Sequence, residues 1–466
     1  MGVRPVSAEP DIAQKEDGDA VPGSARRSVS VAWVRPTAAA LVVLSAVGSL
    51  WMLSRYLRLY GSIVAAPDTP LIAATIFFAV VAAMALAVLV FRPERGQLRA
   101  LVATSIAWSL ALLVALVLAW TAAAKSELQN RWHGTPVTTV AETNAYLARH
   151  IPAGIDAIRI PTGVSIQSME FLTGDNVEVT GYIWQRFGPD VPEDIDRGVV
   201  LAEGVKEAYD AKEAYRYEEN GIETIGWYFA ATLRQPFEYA KYPLDEQDLW
   251  VRIWPRDFSR DIVLVPDFSS YNTMRPTSMP GVESEFVYSG WSPVYSGFSF
   301  SDELYDSSFG IGVAGQYPDL PDLYFNLVLD RNFVGPFFDI FVFAIAVASL
   351  LFGLLALTTD DENLKGRFQL STAGVLTAAS GLLFAVILKH NQIRSGVDTQ
   401  GLSYIEAIPI ILYGIIVFVV LNAILLAAPV KVRLFAYRHN LVPVLGYWPV
   451  LLGSLLVVTL IVFFRY

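Results

Sequence analysis

Seven stretches of this chain stay apolar for more than twenty residues, and that pattern decides most of what the chain can fold into. They run Pro36–Tyr60, Pro70–Phe91, Arg99–Ala123, Gly335–Leu357, Phe368–Leu388, Tyr404–Ala428 and Pro443–Phe464. A helix rises about 1.5 Å per residue, so roughly twenty residues cross the ~30 Å hydrocarbon core of a bilayer. The pattern predicts seven membrane-spanning helices and excludes a wholly soluble enzyme. With 54% hydrophobic residues, the whole composition is richer in apolar side chains than ordinary globular usage.

Charge separates along the same lines. Lys125–Arg331 carries 32 acidic and 16 basic residues, a net of −16, in a chain whose total is −11; the rest is therefore +5. Arg26, Arg27 and Arg35 precede the first run, and Arg92, Arg95 and Arg99 join the second to the third. Lys365 and Arg367 lie between the fourth and fifth, with Lys431, Arg433 and Arg438 between the sixth and seventh. Basic residues collect on the cytoplasmic side. The expected topology has a cytoplasmic N-terminus, with residues 125–333 and the C-terminus outside a cell (inner) membrane. Arg55, Arg58, Lys389 and Arg394 run against that rule. Residues 1–35, rich in small and charged residues, read as a disordered cytoplasmic tail, and the first apolar run begins too late for a cleaved signal peptide. The absence of cysteine excludes disulfides, thiol catalysis and cysteine-ligated metals. His133, His150, His390 and His439 show no ligand spacing, so neither metal nor cofactor is expected. The negative charge argues against nucleic acid as a partner.

The outer segment reads as β. Val177, Val179 and Ile183 alternate with Glu178, Thr180 and Trp184, and Leu249, Val251 and Ile253 with Trp250, Arg252 and Trp254. Leu323, Phe325, Leu327 and Leu329 alternate just before the membrane, and Asn220-Gly221 is a preferred two-residue hairpin turn. Val205–Ala214 reads as helix or loop. Short strands at this spacing predict an antiparallel sandwich.

Four local patterns then appear in order: Tyr242-Pro243-Leu244-Asp245-Glu246-Gln247; Leu327-Val328-Leu329-Asp330-Arg331-Asn332; the basic residue and Ser/Thr/Leu-rich run Arg367–Thr377; and Leu402-Ser403-Tyr404-Ile405-Glu406. Together they resemble the pentameric (Cys-loop-type) ligand-gated ion channels, specifically the bacterial branch, which lacks the cysteines flanking the first motif. The resemblance implies an extracellular antiparallel β-sandwich over 125–333 that binds ligand. It also implies a four-helix transmembrane pore bundle over 334–466, here preceded by three additional transmembrane helices over 36–124. It further implies a homopentamer in membrane lipid, passing small ions. Leu244 stands where the family has a second aromatic, and the three N-terminal helices are foreign to its plan.

The resemblance also assigns roles. Gln369, Ala373, Leu376, Ser380 and Leu383, at steps of 4, 3, 4 and 3, fall within an arc of about 80° and would line the pore. Leu376 would form a hydrophobic gate; read without the resemblance, the small residues here equally suit close helix packing. Lys365 and Gly366 would set selectivity, leaning towards anions, with Asp360, Asp361 and Glu362 close by. Tyr242, Pro243, Asp245 and Arg331 would form the gating interface, with Tyr242-Pro243 a candidate cis bond. Trp254 and Tyr305 would stack on a ligand, with Asp257 or Asp306 as counter-charge; small molecule, divalent cation and proton all stay open as agonist. The rival reading is a non-conducting membrane sensor using the same sandwich. No catalytic motif is present, so no enzymatic activity is expected.

Overall fold

Period-two patterning in the acidic segment does produce strands. The computed structural model describes residues 34–60, 70–124, 132–283, 285, 288, 290–303, 305, 310, 320–359, 371–397, 401–428 and 437–464. Among the described residues, three long helices come first: α1 (Val34–Tyr60), α2 (Pro70–Phe91) and α3 (Leu98–Ala124). The acidic segment then contains β1 (Thr135–Val137), α4 (Val140–His150), β2 (Ile158–Phe171), β3 (Asn176–Phe187), β4 (Val199–Leu201), β5 (Gly204–Glu219) and β6 (Ile222–Arg234). It continues with β7 (Glu246–Pro255), β8 (Ile262–Pro266), β9 (Trp291–Ser301) and β10 (Asp322–Arg331), before α5 (Val334–Leu357), α6 (Thr372–Val397), α7 (Ala407–Ala427) and α8 (Leu441–Phe464).

The strands form two five-stranded sheets, in orders β1-β9-β10-β7-β4 and β5-β6-β3-β2-β8. Among the described strands the pairings are antiparallel except β2 with β8, which run parallel, as do the isolated bridges Ile166–Val282 and Met169–Tyr288. Val177, Val179 and Ile183 of one sheet share a buried cluster with Leu249, Val251, Ile253, Phe298 and Phe325 of the other. A fully buried Val, Leu, Ile or Phe contributes about 1.5–3 kcal/mol, so the inward stripes hold the two sheets together. The β5–β6 turn has both Asn220 and Gly221 in the left-handed region, at φ 54 and 75°, the twist a two-residue hairpin requires.

Two expectations need correction. Val205–Ala214 lies inside strand β5, hydrogen-bonded along β6, rather than in a helix or loop. The helix α4 was not expected; Thr139 caps it, accepting from the Glu142 amide, while the Glu142 carboxylate accepts from the Thr138 amide at 2.7 Å.

Among the described residues, seven helices are long and apolar enough to cross a membrane. α6 reaches Val397, nine residues past the expected end of its run. The helices that precede and follow the sheets in the chain are not separate in space. Residues of α2 and α3 share one buried cluster with α5–α8, and Ser105 Oγ of α3 donates to Leu445 O of α8 at 2.5 Å.

Candidate functional site

The strand register assembles the first site. β10 runs against β7 with Asp330 opposite Glu246, and against β9 with Arg331 opposite Trp291. One further step along the ladder sets Arg331 beside Asp245. Its Nε and Nη2 donate to Asp245 Oδ1 and Oδ2 at 2.6 and 2.9 Å, with the carboxylate only 1% exposed. The guanidinium lies 4.0 Å from the Trp291 ring centroid, 4.7 Å from that of Tyr242 and 5.9 Å from that of Tyr239. Gln247 Nε2 donates to Asp245 Oδ2 at 2.9 Å and to Glu238 O at 2.8 Å, and Gln247 Oε1 accepts from the Glu238 amide. The Tyr242–Pro243 peptide is cis. Tyr242, Pro243, Asp245 and Arg331 are thus brought together in one knot, combining a bidentate charge-assisted pair with cation–π contacts.

The knot stands on the helices. Ala240 O accepts from the Tyr404 amide at 2.9 Å, and Tyr242 and Leu244 pack against the helical cluster. Just beyond, Glu406 caps Ser403 and accepts from Arg394 Nη1 of α6 at 2.9 Å, with His390 Nε2 3.4 Å from the same oxygen. Lys389 of α6 donates to Asp339 of α5 at 2.6 Å. The Tyr404 hydroxyl accepts from Trp120 Nε1 of α3 at 2.7 Å, so an N-terminal helix reaches the same junction.

The second site lies at the far end of β7 and β10. Leu323 pairs with Ile253, so the next residue out, Asp322, meets Trp254. Trp254 Nε1 donates to Asp322 Oδ2 at 3.1 Å, and the Tyr305 hydroxyl donates to the same oxygen. The Trp254 and Tyr305 rings meet edge-on at 5.9 Å. Arg252 lies 5.2 Å from the Trp254 centroid, its Nη2 2.9 Å from Glu203 Oε1 and its Nη1 3.4 Å from the Tyr305 hydroxyl. Burial raises the Asp322 pKa to about 6, partly offset by the Tyr305 and Trp254 hydrogen bonds and the Arg252 charge. Burial likewise raises Glu203, opposed by Arg252. Trp254 and Tyr305 are therefore neighbours, as a shared site needs. Asp257 belongs to a turn of its own: Oδ1 accepts from the Ser259 amide and hydroxyl, and Oδ2 from the Asp196 amide. The Ser259 hydroxyl in particular holds its pKa below the usual carboxylate range. The carboxylate beside the aromatics is Asp322. Asp306 lies outside the described residues.

On α6, Val375, Ala379 and Val386 turn into the chain's own helical cluster. Ala373, Leu376 and Ser380 are exposed, and Leu383 is half-buried against the cluster. Gln369, Lys365 and Gly366 lie outside the described residues, as do Asp360, Asp361 and Glu362. Sequence reasoning missed Gln247, Trp291, Glu203, Arg252 and Asp322. For Arg252 a signal existed, since Trp250, Arg252 and Trp254 share the face of β7 opposite its apolar stripe. Among the described residues no group of three or more acidic or histidine side chains is placed to hold a metal ion. No protein-family model matches the chain, and no characterised protein matches it in sequence.

Proposed function

We propose that five copies of this chain form a ligand-gated ion channel of the pentameric type. In this reading the two-sheet unit is the outer ligand-binding sandwich, α5–α8 are the pore bundle, and α1–α3 are a brace. The observation that carries it is the Asp245–Arg331 knot. It ends the last strand before the membrane and is bonded through Ala240 to Tyr404, two residues from the Glu406 that Arg394 of α6 engages. A ligand that moves the outer sheets would move the end of α6 through this continuous bonded path. Further support comes from α6, where Ala373, Leu376 and Ser380 are left uncovered by the chain's own helices. One helix cannot enclose a path for ions, so the uncovered faces of several copies must meet around water. Ligand binds at Trp254, Tyr305 and Asp322, and Lys365 and Gly366 bias the inner mouth towards anions.

Reconstitution in planar bilayers tests this, alongside the mass of the detergent-solubilised particle. The expected results are five copies and discrete single-channel currents whose reversal potential moves towards the cation value in Lys365→Glu. An assembled particle that never conducts would favour the non-conducting sensor.

A further inference from the structure

Away from both sites, a cavity of about 470 Å³ opens between the start of α4, the outer ends of β2 and β3, and the segment following β8. That volume lies within the ~300–1,000 Å³ typical of small-ligand sites. Its apolar wall includes Val191, Ile222, Val265 and Phe268. Its polar wall holds two arginines. Arg186 Nη1 donates to Ser269 Oγ at 2.7 Å and lies 3.5 Å from Asp267 Oδ1. Arg159 Nη1 donates to Asn144 Oδ1 at 2.8 Å and, among the described residues, forms no ion pair.

Two further features matter. Thr143, only 4% exposed, lines the cavity, and among the described residues its hydroxyl has no hydrogen-bond partner. A buried hydroxyl without a partner is costly, which makes it a group waiting for an acceptor. The nearby Asp267 carboxylate is already saturated by Trp184 Nε1 and the Ser269 and Ser270 hydroxyls. Burial opposes its charge, but these donors and Arg186 hold it below the usual carboxylate range. Asp267 offsets Arg186 and Asp190 sits at the exposed rim, whereas the exposed Arg159 has no acidic partner among the described residues.

We propose that this cavity binds a small organic carboxylate. The carboxylate lies between Arg159 and Arg186 and accepts from the Thr143 hydroxyl, while an apolar body the size of a phenyl ring rests on Val265 and Phe268. Arginine forks match carboxylates in two-point geometry, and Arg159 keeps donors free for this. The site depends on the cavity alone, whether or not the chain conducts.

The test is titration of benzoate into the detergent-solubilised full chain by calorimetry, with benzamide as the neutral isostere. The parent chain is expected to bind benzoate and not benzamide. Arg159→Gln and Arg186→Gln should each weaken benzoate about tenfold, and Thr143→Val a few-fold. Arg186 also touches Asp267, so Arg186→Gln can unsettle the fold. Arg159→Gln and Thr143→Val leave Asp267 untouched, and they decide the matter provided the melting temperature is unchanged. Benzamide binding as tightly as benzoate, or benzoate affinity unmoved in both of those variants, overturns the proposal.

Discussion

Arg331 and Asp245 illustrate what a single pair can hold. Removing one partner of a buried ion pair strands the other charge at a cost of about 3–5 kcal/mol, whereas removing both costs far less. Arg331→Gln should therefore lower the melting temperature sharply, and adding Asp245→Asn should restore part of the loss; strictly additive losses would contradict the pairing. Asp322 gives a second residue-scale outcome. Its folded pKa is raised by burial to about 6 from the ordinary 3.8 of an aspartate, so the folded state binds the extra proton between those values. Stability contributed by this group is therefore complete below about pH 4 and lost as pH rises through about 6, a swing of up to about 3 kcal/mol. The difference in melting temperature between the parent and Asp322→Asn should shift in the parent's favour on going from pH 7.5 to 4.5. Asp245 and Arg331 were legible because each stands in one of the motifs that carry the resemblance, Asp245 just before β7 and Arg331 at the end of β10. Glu203 and Asp322 were not, because a cross-strand partner depends on register, which a one-dimensional pattern does not carry.

At the scale of elements, legibility followed burial. β3, β7 and β10 each bury one apolar stripe, so their alternation is written in the sequence. β5 is an edge strand whose residues 211–219 are all exposed. It has no apolar stripe, and its Ala, Glu and Lys content favours helix locally; the ladder offered by β6 overrides that preference. The cap of α4 was present in the sequence as Thr139 followed three residues later by Glu142, a capping-box spacing. Close packing between β2 and β3 supplies a prediction. A Cβ at Gly163 would fall 2.1 Å from the Trp184 ring, and that indole donates to Asp267 at 3.0 Å. Gly163→Ala should displace the ring and cost about 1–3 kcal/mol, read as a lower thermal midpoint; no change would mean that Trp184 has room to move.

Over the whole molecule, the charge division between an acidic middle and basic flanks coincides with the division between sheets and apolar helices. What the sequence left unplaced was the N-terminal trio. Its third helix turns out to pack on α8 and to reach Tyr404 through Trp120, because apolar helices satisfy each other by close packing wherever the chain lets them meet. In the proposed channel, the face of α6 left uncovered by the chain's own helices meets water rather than lipid. The chain has no cysteine, so single cysteines report without background. In membranes, cysteines placed at Ala373, Leu376 and Ser380 should react with a charged, membrane-impermeant thiol reagent, while cysteines at Val375 and Ala379 should not. Equal protection at all five positions would mean that α6 faces hydrocarbon or protein all round, and would contradict a pore along this helix.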